Sequence, residues 1–406
     1  MRRALLVGLC LLCCSSLFAQ EVEQQLVREN DTLIYTYTPL VAEPEVEAPA
    51  DTTAQRPGFW TRFINYFAES NKDKTYEKKF DVSFIGGPSY SSTTKLSLGV
   101  MAAGLYRTDR SDSLTPPSDV TLFGSVSTSG FYTVGIRGNN LFKHDRHRLV
   151  YRISFASQPT DFWGIDYESC NTNPKSSYSE KLSRIELTYL ARIARNFYIG
   201  PQMMFHYVKG IKFKNPDYLQ GQAMDYAATG IGGVIQYDTR DFAPNPYKGI
   251  YLAAGAKYYP KALGSIEEAI WKVEFTLSGY QRLWSSGILA AELHGEFNSE
   301  ATPWPFRARL GGDYRMRGYY EGRYTDLDMI TLQVELRQRI WRRIGCVIWG
   351  GAGNVFHSMD RFSWSHTLPN YGIGLRWEFK NRVNIRFDYG FGKHSNGLLV
   401  HINEAF

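Results

Sequence analysis

Thr331, Gln333, Glu335, Arg337 and Arg339 alternate with Ile330, Leu332, Val334, Leu336 and Ile340, ahead of Trp341. A period of two with charge on one side and aliphatics on the other requires a strand with one wet face and one apolar face. The pattern recurs: Arg184, Glu186 and Thr188 oppose Ile185, Leu187 and Tyr189, and Lys272, Glu274, Thr276 and Ser278 oppose Trp271, Val273, Phe275 and Leu277. Near the C-terminus Arg376 and Glu378 oppose Ile373, Leu375, Trp377 and Phe379, while Asn384, Arg386 and Asp388 oppose Val383, Ile385, Phe387 and Tyr389. Two architectures satisfy such strands. In a soluble sandwich the apolar face is the core; in a membrane barrel it meets lipid and the charges line the interior.

Connection lengths favour the barrel. Strands are predicted near 80-90, 94-106, 118-128, 131-140, 148-157, 180-193, 197-210, 226-238, 249-259, 270-284, 287-298, 327-340, 345-355, 370-379, 382-391 and 396-404, sixteen in all. Short turns such as 194–196, 285–286, 342–343 and 380–382 tend to alternate with long connections such as 158–179, 211–225, 299–326 and 356–369, with 107–117 an exception. Outer-membrane barrels have this asymmetry, short turns on the periplasmic side and long loops outside, with an even strand number. The fold class expected is therefore all-β, a transmembrane antiparallel β-barrel of sixteen strands across residues 80-406. No run of mature sequence approaches the 18 or more apolar residues of a spanning helix, and 15% aromatic residues with 36 glycines suit interfacial girdles and small inward positions.

The N-terminus points to export. Arg2 and Arg3 precede an apolar stretch ending in Leu17-Phe18-Ala19, so residues 1-19 read as a signal peptide. Cleavage there would leave two cysteines, Cys170 and Cys346, too few for a disulfide framework. Residues 20-57, with eight acids against Arg28 and Arg56 and with Pro39, Pro44, Pro49 and Pro57, read as a disordered acidic periplasmic linker. From a net charge of +6, that leaves +10 on residues 58–406. For an exported chain this excess points to lumen and loop charge facing an anionic surface, not to nucleic acid. In 58-71, Phe59, Trp60, Phe63, Ile64 and Phe67 recur at helical spacing. Such an amphipathic helix suits the inner leaflet of the outer membrane, a docked partner or the barrel mouth.

The longest predicted loop, between the eleventh and twelfth strands, contains Gly311-Gly312-Asp313-Tyr314-Arg315-Met316-Arg317-Gly318-Tyr319-Tyr320. Here the sequence resembles the BamA/TamA family of outer-membrane proteins, barrels of the bacterial surface antigen type, whose long extracellular loop folds into the lumen behind an aliphatic-Arg-Gly-aromatic tip. Met316, Arg317, Gly318 and Tyr319 match that tip. Asp238-Thr239-Arg240-Asp241 followed by Gly249 is similar to the family's turn between strands eight and nine, Tyr371–Trp377 and Phe387–Gly390 resemble its last strands, and Phe406 ends the chain as barrel assembly signals commonly do.

The resemblance implies that Arg317 pairs with a carboxylate on the twelfth strand, matched by Glu335, and with an acid on the thirteenth. Glycine (Gly351) stands where that acid is expected, which leaves Asp328, Asp388 or Glu378 as substitutes. It further implies a weak lateral seam between the first and last strands, where Gly86, Gly87 and Pro88 cannot sustain a full ladder and Gly397 lies opposite. The expected function is insertion or translocation of proteins, or lipids, at the outer membrane by a member without the usual periplasmic POTRA domains. Client and oligomeric state are unknown, and a partner at Phe59 to Phe67 would replace the missing domains. The alternatives are a porin-like pore or structural surface antigen and, as a minority reading, a barrel enzyme. No catalytic motif, metal site or cofactor is expected. Glu292, His294 and Glu296 share one strand face but are spaced too widely to form a compact metal shell.

Overall fold

The computed structural model describes residues 78–91, 95–112, 115, 117–380 and 382–406. The expected signal peptide, acidic linker and amphipathic helix, with Phe59 to Phe67, lie outside the described residues.

The period-two segments form strands close to where their patterns place them. They are β1 (Asp81–Ser91), β2 (Lys95–Tyr106), β3 (Ser118–Ser127), β4 (Tyr132–Leu141), β5 (His147–Phe162), β6 (Ser176–Ala194), β7 (Phe197–Ile211) and β8 (Asp225–Asp238). After these come β9 (Gly249–Tyr259), β10 (Ile270–Trp284) and β11 (Gly287–Asn298). Two three-residue strands, β12 (Ala308–Leu310) and β13 (Tyr324–Asp326), form a separate hairpin. The wall resumes with β14 (Asp328–Trp341), β15 (Ile344–Phe356), β16 (Leu368–Lys380), β17 (Val383–Gly392) and β18 (Ser395–Ile402). Among the described residues sixteen strands make one closed antiparallel barrel, in which β11 pairs with β14 and β1 meets β18.

The faces divide as the alternation requires. Val100, Val126, Ile185, Met203, Ile231, Leu332, Ile348 and Ile373 are exposed on the outside, whereas Glu335, Arg337, Arg376, Arg386 and Asp388 are buried within. Such an inversion is unfavourable in water and natural in lipid. No helix among the described residues is long and apolar enough to cross a membrane, which says nothing of the strands. At one end the connections are mostly tight. Asn196 (φ 61) and Arg342 (φ 46) take the left-handed backbone that two-residue hairpin turns need to match strand twist.

The other end carries the long loops, and here the sequence underestimates the order. β5 and β6 run to Phe162 and from Ser176, so the expected 158–179 loop shrinks around a short helix, α1 (Tyr167–Thr172), capped by Asp166 through Ser169 N at 2.8 Å. Tyr178 stacks on Phe213 at 4.6 Å and meets Trp304 edge-on at 5.4 Å, tying three loops together over the mouth. These loop ends break the alternation because they pack against one another, not against lipid.

Candidate functional site: the inward loop and the seam

The register of the last five strands builds the floor on which the loop tip rests. Glu335, Trp349, Gly372, Gly390 and Gly397 are successive cross-strand partners from β14 to β18, one transverse row. The glycines leave room for another backbone: a Cβ on Gly390 would stand 2.4 Å from the Arg317 carbonyl oxygen. Gly318 has φ 105, and a Cβ there would lie 2.5 Å from the Gly390 carbonyl carbon. Both conformation and space therefore demand glycine at 318. The tip is then bonded down: Ser395 Oγ donates to the Gly318 carbonyl at 2.7 Å, Lys393 N to Tyr319 Oη at 2.6 Å, and Tyr319 Oη to the Pro369 carbonyl at 2.8 Å. Asn370 Nδ2 donates to the Arg317 carbonyl. Met316 is buried at the head of the same tip.

Arg317 is fully buried. Its Nη2 lies 2.6 Å from Glu335 Oε2, its Nη1 2.9 Å from Asp388 Oδ2, and its guanidinium 3.9 Å over the Trp349 ring. Asp388 thus supplies the second carboxylate, from β17 and not from the strand that bears Gly351. A Cβ at Gly351 would come within 2.5 Å of the Leu332 carbonyl oxygen, so this place on the wall is closed to an acid without local movement. Of the other two substitutes, Asp328 accepts from Asn298 N and Glu378 from Arg382 N. Neither is paired with Arg317.

The pair belongs to a larger network. Glu335 Oε1 also holds Arg337 Nε at 2.6 Å; Asp388 also holds Arg376 Nη1 at 2.5 Å and Arg386 Nη1 at 2.8 Å. Arg376 Nε in turn holds Glu404 Oε2 at 2.7 Å. Buried charges are tolerated only when paired this completely. Glu404 lies beyond β18, where residues 403–406 turn inward, with Asn384 Nδ2 donating to Glu404 Oε1 at 2.5 Å and Arg337 Nη2 to the Phe406 carbonyl at 2.6 Å. Phe406 therefore ends inside the turn end of the barrel, beside Tyr280 and Arg337, and not on a strand.

That inward tail defines the seam. β1 pairs with β2 along its whole length, from Asp81↔Leu105 to Ser91↔Lys95, but among the described residues it meets β18 at one register pair, Tyr90↔Val400. Gly86, Gly87 and Pro88 pair with Val100, Gly99 and Leu98 of β2, and Gly397 pairs with Gly390 of β17. The contact that joins first to last strand is thus Tyr90 and Val400, not the glycine-proline segment.

The β8–β9 turn closes beneath. Arg240 is held by Asp238 at 2.8 Å and lies 4.1 Å over the Tyr251 ring. Asp241 accepts from Tyr247 N at 2.9 Å and pairs with Arg382 at 2.9 Å, while Gly249 (φ 113) leaves the turn where a side chain would meet the Thr239 carbonyl. Pro246 accepts from Arg337 at 3.4 Å, so the turn touches the same network as the tail. Sequence reasoning missed Trp349, Asn370 and Ser395, contributed through cross-strand register, and Glu404, contributed by the tail that turns inward past β18; no local pattern records either. Glu292, His294 and Glu296 are separately engaged, by Arg315, Thr276 and Lys272.

Residues 133–401 match the model of the Omp85 superfamily domain. Solved structures with the same fold include BamA from Haemophilus ducreyi lacking POTRA domains 1-3, with 14% identity, TM-score 0.53 and coverage of 80% of this chain and 70% of that one. CdiB from Acinetobacter baumannii (12% identity, TM-score 0.53) and CdiB from Escherichia coli (11%, 0.56) are each matched over 80% of this chain. This chain spans 60% and 63% of those two proteins. No curated protein matches the sequence.

Proposed function

Since this chain belongs to the Omp85 superfamily of outer-membrane β-barrels, we propose that it assists insertion or translocation of proteins, or lipids, at the outer membrane through its first–last strand seam. The turn end then faces the periplasm and the loop end the exterior. One observation carries the reading: among the described residues a single register pair, Tyr90↔Val400, joins β1 to β18, where every other wall junction has a ladder of eight pairs or more. An antiparallel edge with unpaired N–H and C=O groups is a template for an incoming strand. The Arg317 tip, on this reading, keeps the lumen closed while the seam works. Phe59 to Phe67 would dock a periplasmic partner, and removal of residues 20–70 should then release co-purifying proteins.

The test is a disulfide across the seam, Tyr90→Cys with Val400→Cys, in cells whose only copy is the variant. Locking should change the abundance of outer-membrane proteins or surface lipids, and reductant should restore it. An unchanged envelope under a quantitatively formed crosslink refutes seam-dependent transfer. A large, steady conductance from the unaltered protein in a planar bilayer would favour a porin-like pore instead.

A further inference from the structure

On the outer wall, β6 and β7 present an apolar band and then, at the loop end, lysines. Outward residues run from Ile193 to Ile185 on β6 and from Ile199 to Tyr207 on β7, nine residues each and enough for a tilted strand to span the hydrocarbon. The next outward pair but one on β6, and the next on β7, are Lys181 and Lys209, which are direct cross-strand partners and exposed. Like charges directly opposite on one sheet face repel. Among the described residues no ion pair joins either lysine to a carboxylate. Lys212 and Lys214 follow on the loop, and Lys214 N returns to the Ser177 carbonyl at 3.0 Å, which brings the loop back over β6. Glu180, beside Lys181, turns inward to Arg309 at 3.2 Å, and Asp225 of β8 is the cross-strand partner of Lys209; with Asp217 as the other acid, Lys181, Lys209, Lys212 and Lys214 keep a surplus of two cations.

Below this cluster the wall is hollowed. Leu187, Met203, Ile231, Tyr258 and Trp271 are cross-strand neighbours forming one transverse row from β6 to β10. On the turn side of that row the outward positions are small or flat, Pro201, Gly233 and Ala256, and the result is an apolar groove of about 710 Å³. From Lys181 to Leu187 is about 20 Å along the strand. With strands tilted about 45°, that is roughly 14 Å of depth, within reach of an acyl chain hung from a phosphate at the lysines.

We propose that this strip binds a lipid whose headgroup carries phosphate, in the leaflet at the loop end. The phosphate lies between Lys181 and Lys209, and an acyl chain enters the groove under Met203 and Tyr258. An anion there offsets the positive surplus that Asp225, opposite Lys209, leaves at this corner, and the groove gives a chain a lodging that a smooth wall does not. Nothing in this proposal depends on the seam.

The test uses the full chain in phosphatidylethanolamine nanodiscs, with bisphosphorylated lipid A and its dephosphorylated form as probes, read by native mass spectrometry. Lipid A should be retained at least tenfold better than the dephosphorylated form. Lys181→Gln with Lys209→Gln should abolish that preference, Lys181→Arg with Lys209→Arg should keep it, and Ala256→Trp should weaken retention of both lipids. Equal retention of the two probes, or a preference that survives the double Gln variant, overturns the proposal. Displacement of lipid A by millimolar inorganic phosphate alone would mean a simple anion site and overturns it too.

Discussion

Arg317→Ala and Asp388→Asn both cut the ion pair that pins the loop, yet the network predicts unequal costs. In Arg317→Ala two charge-assisted hydrogen bonds go, each contributing about 1.5–3 kcal/mol, but no carboxylate is stranded: Glu335 keeps Arg337, and Asp388 keeps Arg376 and Arg386. Of four arginines (Arg317, Arg337, Arg376, Arg386) facing three acids (Glu335, Asp388, Glu404), the variant removes the surplus cation. Asp388→Asn does the reverse. It leaves Arg317, Arg376 and Arg386 around a neutral amide, and stranding one partner of a single buried pair already costs about 3–5 kcal/mol. Asp388→Asn weakens three such bonds, to Arg317, Arg376 and Arg386, against the two lost with Arg317, so the aspartate variant should be the less stable by about one of them, ~1.5–3 kcal/mol, roughly a tenfold or greater difference in the unfolding constant. Reversible urea unfolding of the barrel in lipid vesicles measures it. Arg317→Ala should meanwhile add conductance steps in a planar bilayer, because the tip loses its anchor while the wall stays intact. If Arg317→Ala proves as destabilising as Asp388→Asn, the idea that the wall arginines share Asp388 is wrong.

Further expectations concern packing and access. Tyr90→Cys with Val400→Cys should oxidise spontaneously, whereas Gly87→Cys with Gly397→Cys should not, being six register positions out of step and beyond the ~7 Å Cα limit for a disulfide; gel mobility without reductant decides. Gly390→Ala, meeting the Arg317 carbonyl oxygen at 2.4 Å, should displace the tip at about 1–3 kcal/mol and open residues 311–323 to protease. Burial in the loop end pushes the Cys170 thiol up to about 12, so at pH 8 it holds almost no thiolate. Maleimide should spare it in the folded protein and label it after urea.

How far the sequence reaches is clearest at Arg317. The strands and their number follow from a period of two and from connection lengths, both local properties, whereas the inward loop is implied by the resemblance carried by Met316 to Tyr319. Glu335 is legible because the resemblance implies a carboxylate on the strand after the loop and the alternation turns this one into the lumen. Asp388 is visible only as one of three candidate acids; choosing it needs the register of β14 through β17, which places Trp349 and the glycine row between the two carboxylates. Phe406 is legible as an end, but its turn into the lumen depends on Glu404 finding Arg376, a contact with no local signature. The same gap explains the seam. Pro88 and its glycines mark weak pairing, whereas the actual junction at Tyr90 and Val400 follows from where residues 403–406 leave the wall.

Met316 to Tyr319 are fastened to β14 through β18 and to the turn before β18, and among the described residues none of their hydrogen bonds reaches β1. Plug and hinge thus sit on the same side of the parting line. A strand wedged between Tyr90 and Val400 would push the stopper and its wall aside together, so the channel could remain watertight while the barrel stands ajar. On the proposed function, leakage and lateral passage would then be separate risks for the cell, set by different residues and open to separate tuning.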